Sequence, residues 1–344
     1  MQSPDKQRDK DRILLAHGGG GQLTDELIRE LVIPNVNKSM TAELTDSARI
    51  DVPEGSICFT TDSYVVKPLF FNGGDIGKLA VCGTVNDLAV AGARPIAISL
   101  SLIIEEGFEV RLLKKILSSV GKAAEENNVE VVTGDTKTVE KNAADGVFIN
   151  TAGIGVCLPE VELAFGKIQP GDEIIINGGI GDHGLALISQ REGISFQSQL
   201  ESDCAGLAGL TCRLLEAVPE IRFMRDPTRG GVAGTLNDIV FETGHSIEIN
   251  QNALPVNPVA QAAADLLGFD ILNVANEGKF IAVVPPDWTG KILQICREHP
   301  LGKKSVVIGA VKAASEMPLV EMKTSLGGKR IVRMPYGLEL PRIC

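Results

Sequence analysis

Hydrophobic positions along this chain switch repeatedly between two periods. Apolar residues recur at helical spacing in Thr24 to Leu31, Gly74 to Pro95, Glu109 to Asn127 and Asn257 to Leu267, the repeat of a helix with a buried face. Short apolar runs bounded by polar or Gly-rich turns lie at Ile96 to Ile104, Val129 to Lys137, Gly146 to Val156, Asp172 to Asn177 and Ser305 to Val311, and read as strands. Ser56 to Val66 reads as two strand-like runs meeting at Asp62, and the strand from Val129 is expected to end in Asp135 and Lys137. Another strand follows a turn that carries Glu277. Alternating strands and helices predict an α/β chain. It divides into domains of 13–158 and 159–325, with a hinge near Pro159, a disordered leader at 1–12 and a flexible tail at 326–344.

An internal echo supports two halves of related construction. Val81-Cys-Gly-Thr-Val-Asn-Asp87 returns as Val232-Ala-Gly-Thr-Leu-Asn-Asp238, with Val, Gly, Thr, Asn and Asp in register.

Composition narrows the partners. The 344 residues carry 33 basic and 44 acidic side chains, a net charge of −11, which argues against nucleic acid or an anionic membrane as the main partner. No apolar run approaches the ~20 residues of a spanning helix, and the charged start differs from a signal peptide. A cytoplasmic protein is expected. Seven cysteines without a Cys-x-x-Cys pair suit a reducing compartment, with Cys58, Cys82 and Cys157 as small buried hydrophobes. With four scattered histidines, no structural zinc is expected.

Three stretches carry candidate chemistry. Gly18 to Gly21 precede a helix start, where backbone amides can approach a phosphate. Gly179, Gly181 and Gly184 match a dinucleotide turn, but the polar segment Gln199 to Asp203 stands where a second strand ending in an acid belongs, which disfavours nicotinamide. Asp62, Asp87 and Asp135, each beside Gly, Thr or Asn, and Asp226, two residues before Thr228, suit magnesium held against nucleotide phosphates. Asn86 and Asp87 interrupt an apolar helix, and a buried carboxylate there needs a partner such as a cation or a lysine. There is no Walker loop. The chain ends Pro341-Arg-Ile-Cys344. Its thiol lies beside its own α-carboxylate and is a poor nucleophile in water, so the arm must reach a site with a base or a positive field.

Thr61-Asp62, Val85-Asn86-Asp87, Gly134-Asp135-Thr136 and Gly178 to Gly184 with His183 resemble the aminoimidazole-ribonucleotide-synthetase-like (PurM-like) ATPase superfamily. His17-Gly-Gly-Gly-Gly, Gly134-Asp-Thr-Lys137, Asp226-Pro-Thr-Arg-Gly-Gly, Asn276-Glu-Gly and the terminal Pro-Arg-Ile-Cys are similar to motifs of its carbamoyl dehydratase family, which matures NiFe-hydrogenase. The resemblance covers nearly the whole chain after residue 12. It implies a two-domain PurM-like α/β (α+β) fold whose N-terminal sheet pairs in a homodimer. It also implies ATP-dependent dehydration of a carbamoyl group on Cys344 to a thiocyanate, whose cyanide goes to iron. A HypF-type carbamoyltransferase and a HypC–HypD-type iron scaffold are the implied partners. Asp62, Asp87 and Asp226 fall to magnesium; Gly18, Gly19, Gly20 and Gly21 to phosphate; Thr61, Asn86 and Asp135 to the nucleotide. Glu277 and Lys137 are expected to remove and orient protons, with Cys344 as the carrier, while His183 is expected to be a turn residue. Two other readings stay open: a small-molecule synthetase of ribonucleotide or selenophosphate type, and a non-enzymatic carrier presenting Cys344. The glycine loop lacks the cysteine of the selenium branch.

Overall fold

Strand alternation organises the first half. The computed structural model describes residues 12–14, 17, 26–36, 55–194, 200–333 and 342–344. The leader up to residue 11, Gly18 to Gly21 and residues 334–341 of the tail lie outside these described residues. In β1 (Ile57–Tyr64) Cys58, Thr60, Asp62 and Tyr64 lie on the covered side, whereas Ile57, Phe59, Thr61 and Ser63 are exposed, the two-residue period of a strand. This strand runs unbroken through Asp62. The expected break does not occur, because a carboxylate that faces a cavity leaves the backbone ladder intact.

After the hairpin β2 (Phe70–Phe71) and β3 (Gly74–Asp75), α2 (Ile76–Val90) begins at Asp75. The Asp75 carboxylate accepts from the Gly77 and Lys78 amides at 2.8 and 3.1 Å, which satisfies two donors of the first turn. A short helix, α1 (Ile33–Val36), precedes it. Then follow β4 (Ala93–Glu105), α3 (Val110–Glu126), β5 (Glu130–Val139) and β6 (Val147–Cys157). The sheet order is β1-β6-β4-β5; only β4 and β5 are parallel, because α3 carries the chain back between them. β5 continues to Val139, so Asp135 and Lys137 lie within an edge strand rather than at its end. Helices α2 and α3 bury the inner residues of this sheet. On its outer face Ile57, Phe59 and Ile103 remain 53, 68 and 42 % exposed.

The second half is built on β7 (Glu173–Ile176), β8 (Phe223–Arg225), β9 (His245–Asn250), β10 (Ile281–Val284), β11 (Val306–Ala314), β12 (Val320–Lys323) and β13 (Lys329–Val332). Their order is β13-β12-β9-β11-β7-β10-β8, antiparallel except for β12 with β9. Helices α4 (Asp182–Arg191), α5 (Ala208–Ala217), α6 (Gly231–Thr243), α7 (Pro258–Leu267) and α8 (Pro286–Glu298) complete it. The echoed segments fall in equivalent helices, α2 and α6. Residues 200–207, between α4 and α5, form no strand. β13 lies inside the stretch expected to be a flexible tail, held by pairing with β12 from Val320↔Val332 to Lys323↔Lys329.

One core ignores the boundary between the halves. Leu187, Ile188, Cys204, Ala208 and Ala275 of the second half pack into the core of the first, together with Ile343 of the tail. Asn86 of α2 fastens the seam: its amide nitrogen donates to the Ala205 and Glu277 carbonyls at 3.0 and 2.9 Å, and its oxygen accepts from the Leu207 amide at 2.7 Å. All seven cysteines are free. Cys82 is buried as expected, whereas Cys58 and Cys157 on neighbouring strands are only half-buried, their sulfurs 3.5 Å apart. Among the described residues no helix is long and apolar enough to cross a membrane.

Candidate active site

Elements from both halves and the chain terminus converge on one cavity. β1 contributes Thr61 and Asp62, α2 Gly83 and Asp87, the loop after β8 Asp226, Thr228 and Arg229, and the loop before β10 Glu277, with Cys344 beside them. It encloses about 150 Å³. The sequence-derived candidates Thr61, Asp62, Asp87, Asp226, Glu277 and Cys344 thus meet in space, although 283 residues separate the first from the last (344 − 61).

Local hydrogen bonds aim these groups. Thr60 donates to the Asp87 carboxylate at 2.9 Å, and Thr61 donates to the Thr151 carbonyl at 3.0 Å. The loop carrying Asp226 is tied by Asn276, whose side-chain nitrogen donates to the Pro227 carbonyl at 2.9 Å while its oxygen accepts from the Gly181 amide at 2.8 Å. α6 starts at Gly231 with Gly230 at its cap, so Asp226 caps nothing. The Glu277 amide donates to the Asp203 carboxylate at 3.1 Å, and Asp203 is paired with Lys279 at 2.9 Å. A side chain at Gly278 would overlap the Asp203 carbonyl, 2.0 Å from its added carbon, so only glycine lets these loops meet.

Crowded carboxylates set the electrostatics. Burial, then the negative charges of Asp226, Asp203 and Asp62, pushes Glu277 well above the ordinary carboxyl range. Asp226 is half-buried and lines the cavity; burial, then Asp87 with a smaller part from Asp62, pushes it up to about 7. Asp87 is also raised by burial, partly offset by its bond from Thr60. Burial and then Glu277 push the Cys344 thiol up to about 12, with Arg229 acting in the other direction. Such a set of hard oxygen donors, short of positive charge, has the chemistry of a magnesium site. Among the described residues no three of these side chains form a ready-made cage for a bare ion. A magnesium ion here would need ligands beyond these side chains, such as phosphate and water.

Other candidates lie elsewhere. Asp135 and Lys137 are 58 and 62 % exposed and bonded to each other at 2.6 Å, outside the cavity lining. Asn86 spends its amide on the seam described above and orients the backbone of Glu277 rather than facing the cavity. Gly18 to Gly21 lie outside the described residues.

His183 is not the turn residue expected: it sits in α4, fully buried, bonded to Ser202 and to the Ile343 carbonyl. Asp145 binds the Arg342 guanidinium and Arg191 the Arg342 carbonyl. No local pattern marks Asp145 or Arg191, because their partner is the far end of the chain, nor Ser202, which bonds His183. Arg229 and Thr228 were within the quoted Asp226-Pro-Thr-Arg motif but had been given no role.

Family models of AIR synthase related proteins match the chain twice: the N-terminal domain at residues 44–157 and the C-terminal domain at 169–320. Carbamoyl dehydratase HypE of Bradyrhizobium diazoefficiens is 47 % identical over 331 residues, 96 % of this chain and 95 % of that protein. A crystal structure of hydrogenase maturation protein HypE in complex with ATP has a TM-score of 0.92 at 42 % identity, covering 96 % of this chain and 99 % of the other. A HypE–HypF complex matches with a TM-score of 0.78 at 47 % identity, covering 81 % and 90 %.

Proposed function

Because the chain belongs to the HypE family of carbamoyl dehydratases, with the two PurM-like domains of AIR synthase related proteins, we propose that it uses ATP to dehydrate a carbamoyl group borne on its own Cys344. The observation that carries this reading is Cys344 in one cavity with Asp62, Asp87, Asp226 and Glu277.

An amide oxygen is a poor leaving group. Transfer of the ATP γ-phosphoryl group to the carbamoyl oxygen, with release of ADP, makes it one. The nitrogen then loses both protons as phosphate departs, and the S-carboxamide becomes a thiocyanate, the source of cyanide for iron. Magnesium held by Asp62, Asp87 and Asp226 would neutralise charge on the phosphoryl group. Arg229 adds a fixed positive charge to the same cavity. Glu277 is the proposed base: a carboxylate whose proton affinity has been raised by burial accepts a proton from nitrogen more readily than one in water. Thr61 and the Gly18 to Gly21 loop are assigned to the nucleotide, and Asn86 serves it indirectly by holding Glu277.

The docked thiol is not a nucleophile. With its pKa pushed up to about 12, Cys344 lacks thiolate character in the cavity, so loading of the carbamoyl group belongs to an undocked tail in contact with the carbamoyltransferase. A HypF-type partner is supported by the complex of the relative, and a HypC–HypD-type scaffold is the proposed acceptor of cyanide. Cysteines that are all unpaired suit a reducing cytoplasm.

Domains of 13–158 and 159–325 are proposed from the change of sheet at that point. The first would pair with a second copy through the outer sheet face, where Phe59 sits opposite Ile154 and Ile57 opposite Val156. Thr61, Asp135 and Lys137 are exposed on the strands of that sheet, and Thr61 also lines the cavity. The nucleotide and proton-orienting roles of Asp135 and Lys137 would then depend on the second copy.

The test is to incubate the protein with its carbamoyltransferase, carbamoyl phosphate and ATP, and to follow intact mass. A carbamoyl adduct on Cys344 that loses the mass of water only with hydrolysable ATP is expected. ATP consumption with Cys344 bare would overturn the reading.

A further inference from the structure

A buried imidazole faces the chain terminus across the seam. His183 is fully buried in the first turn of α4, its ring edge-on to Phe71 at 5.6 Å and 89°. Its Nε2 lies 3.0 Å from the Ile343 carbonyl and its Nδ1 2.7 Å from the Ser202 hydroxyl. A carbonyl only accepts, so Nε2 carries the hydrogen and Nδ1 accepts from Ser202. Ser202 in turn accepts from the Cys204 amide at 3.1 Å. This neutral tautomer leaves no member of the row unsatisfied while the tail is in place. When the tail withdraws, the Nε2 hydrogen loses this acceptor, and the net value of one such hydrogen bond opposes the withdrawal.

Other contacts to the terminus divide into those blind to side chains and those that read them. The Val65 amide donates to the Cys344 α-carboxylate at 3.1 Å and the Lys67 amide to the Arg342 carbonyl at 3.2 Å, contacts that do not depend on the side chains there. Arg342 is read by Asp145, and Ile343 by its burial at 3 % exposure in the first core.

We propose that His183 is a positioning residue that holds the terminal Arg-Ile-Cys at the cavity through the Ile343 carbonyl, with Asp145 selecting arginine at position 342. This deepens the function proposed above and rests on it for its purpose. The His183 contact is one neutral hydrogen bond among several that hold the terminus, so its loss loosens the tail without freeing it.

The test is the rate at which iodoacetamide alkylates Cys344 in the full-length protein, read by peptide mapping, with buried Cys82 and Cys204 as internal controls of folding. It requires neither ATP nor a carbamoyl donor, so failure of the dehydratase reading leaves it interpretable, and its own failure leaves that reading standing. His183→Ala is expected to raise the Cys344 rate roughly fivefold, the loss of one net hydrogen bond. His183→Gln, which keeps a donor on a side chain of similar reach, restores a slow rate, whereas a merely structural histidine would not be rescued. Asp145→Asn gives a smaller rise, since an exposed ion pair is weak. An unchanged Cys344 rate in His183→Ala, or no rescue by Gln, overturns the proposal. If His183→Ala also exposes Cys82 and Cys204, Ser202→Ala decides: a faster Cys344 with both controls silent supports the hold, and an unchanged Cys344 overturns it.

Discussion

Glu277 and His183 are both buried ionisable groups, and burial moves them in opposite directions because it disfavours the charged form of each. Glu277 is raised and His183 lowered, the latter by burial first, with Asp203 opposing the shift and Arg191 adding to it. For Glu277, replacing the carboxyl by an amide removes the proton acceptor and keeps the shape. Glu277→Gln should slow water loss from the carbamoyl adduct by roughly 10²- to 10⁴-fold, measured as the time course of intact mass, while the adduct itself still forms. For His183, the folded state binds a proton less readily than the unfolded chain, whose value is near the ordinary 6.5. Its contribution to stability is therefore complete above that value and declines as the pH falls below it. Melting temperature should drop from pH 7 to 5.5, and the drop should be shallower in His183→Gln; equal slopes in a thermal scan would contradict this.

At the scale of elements, α2 is the piece on which both halves depend. Its sequence reads as an apolar helix with two misplaced polar residues, and the structure separates their duties: Asp87 faces the cavity while Asn86 fastens Ala205, Leu207 and Glu277. The equivalent acid of α6, Asp238, instead pairs with Arg225 at 2.8 Å, so a shared motif diverged in use. Asn86→Ala would leave two carbonyls and one amide without partners, and should cost roughly 2–4 kcal/mol in denaturant unfolding. Gly278→Ala meets the Asp203 backbone and must push the Glu277 loop aside. It should lower both the unfolding midpoint and the dehydration rate, whereas loss of stability alone would show that the loop relaxes without moving Glu277.

For the molecule as a whole, the uncovered face of the first sheet is the main unmet demand for burial. Phe59, 68 % exposed beside Ile57, lies on a sheet whose opposite face packs against α2 and α3. Pairing of two copies would cover it, and Phe59→Glu should convert a dimer into a monomer in light scattering. A wild-type chain that is monomeric at micromolar concentration would remove the dimer, and with it the roles given to Asp135 and Lys137.

Much of this architecture is legible along the chain, for a physical reason. Periods of two and of 3.6 residues, glycines and cap residues are local, and local rules located β4, β6, β7, β11 and α3 within a few residues of their ends, whereas the helix read on to Pro95 stops at Val90 and gives way to β4. Asp62, Asp87, Asp226 and Glu277 stood out because carboxylates amid Gly, Thr and apolar residues are costly without a task. β12 and β13, four residues each with charged residues among them, show no clear period, and long-range pairing holds them. β5 looked finished at Asp135 and Lys137 because polar residues at a strand end and on a strand's exposed face are alike in one dimension. The receptor for the tail was invisible for the same reason: Val65, Asp145, His183 and Arg191 share no spacing, and only folding brings them to residues 342–344. Sequence by itself determined which groups this protein has for chemistry; tertiary structure decided which of them meet, since proximity across hundreds of residues is a property of packing and not of order along the chain.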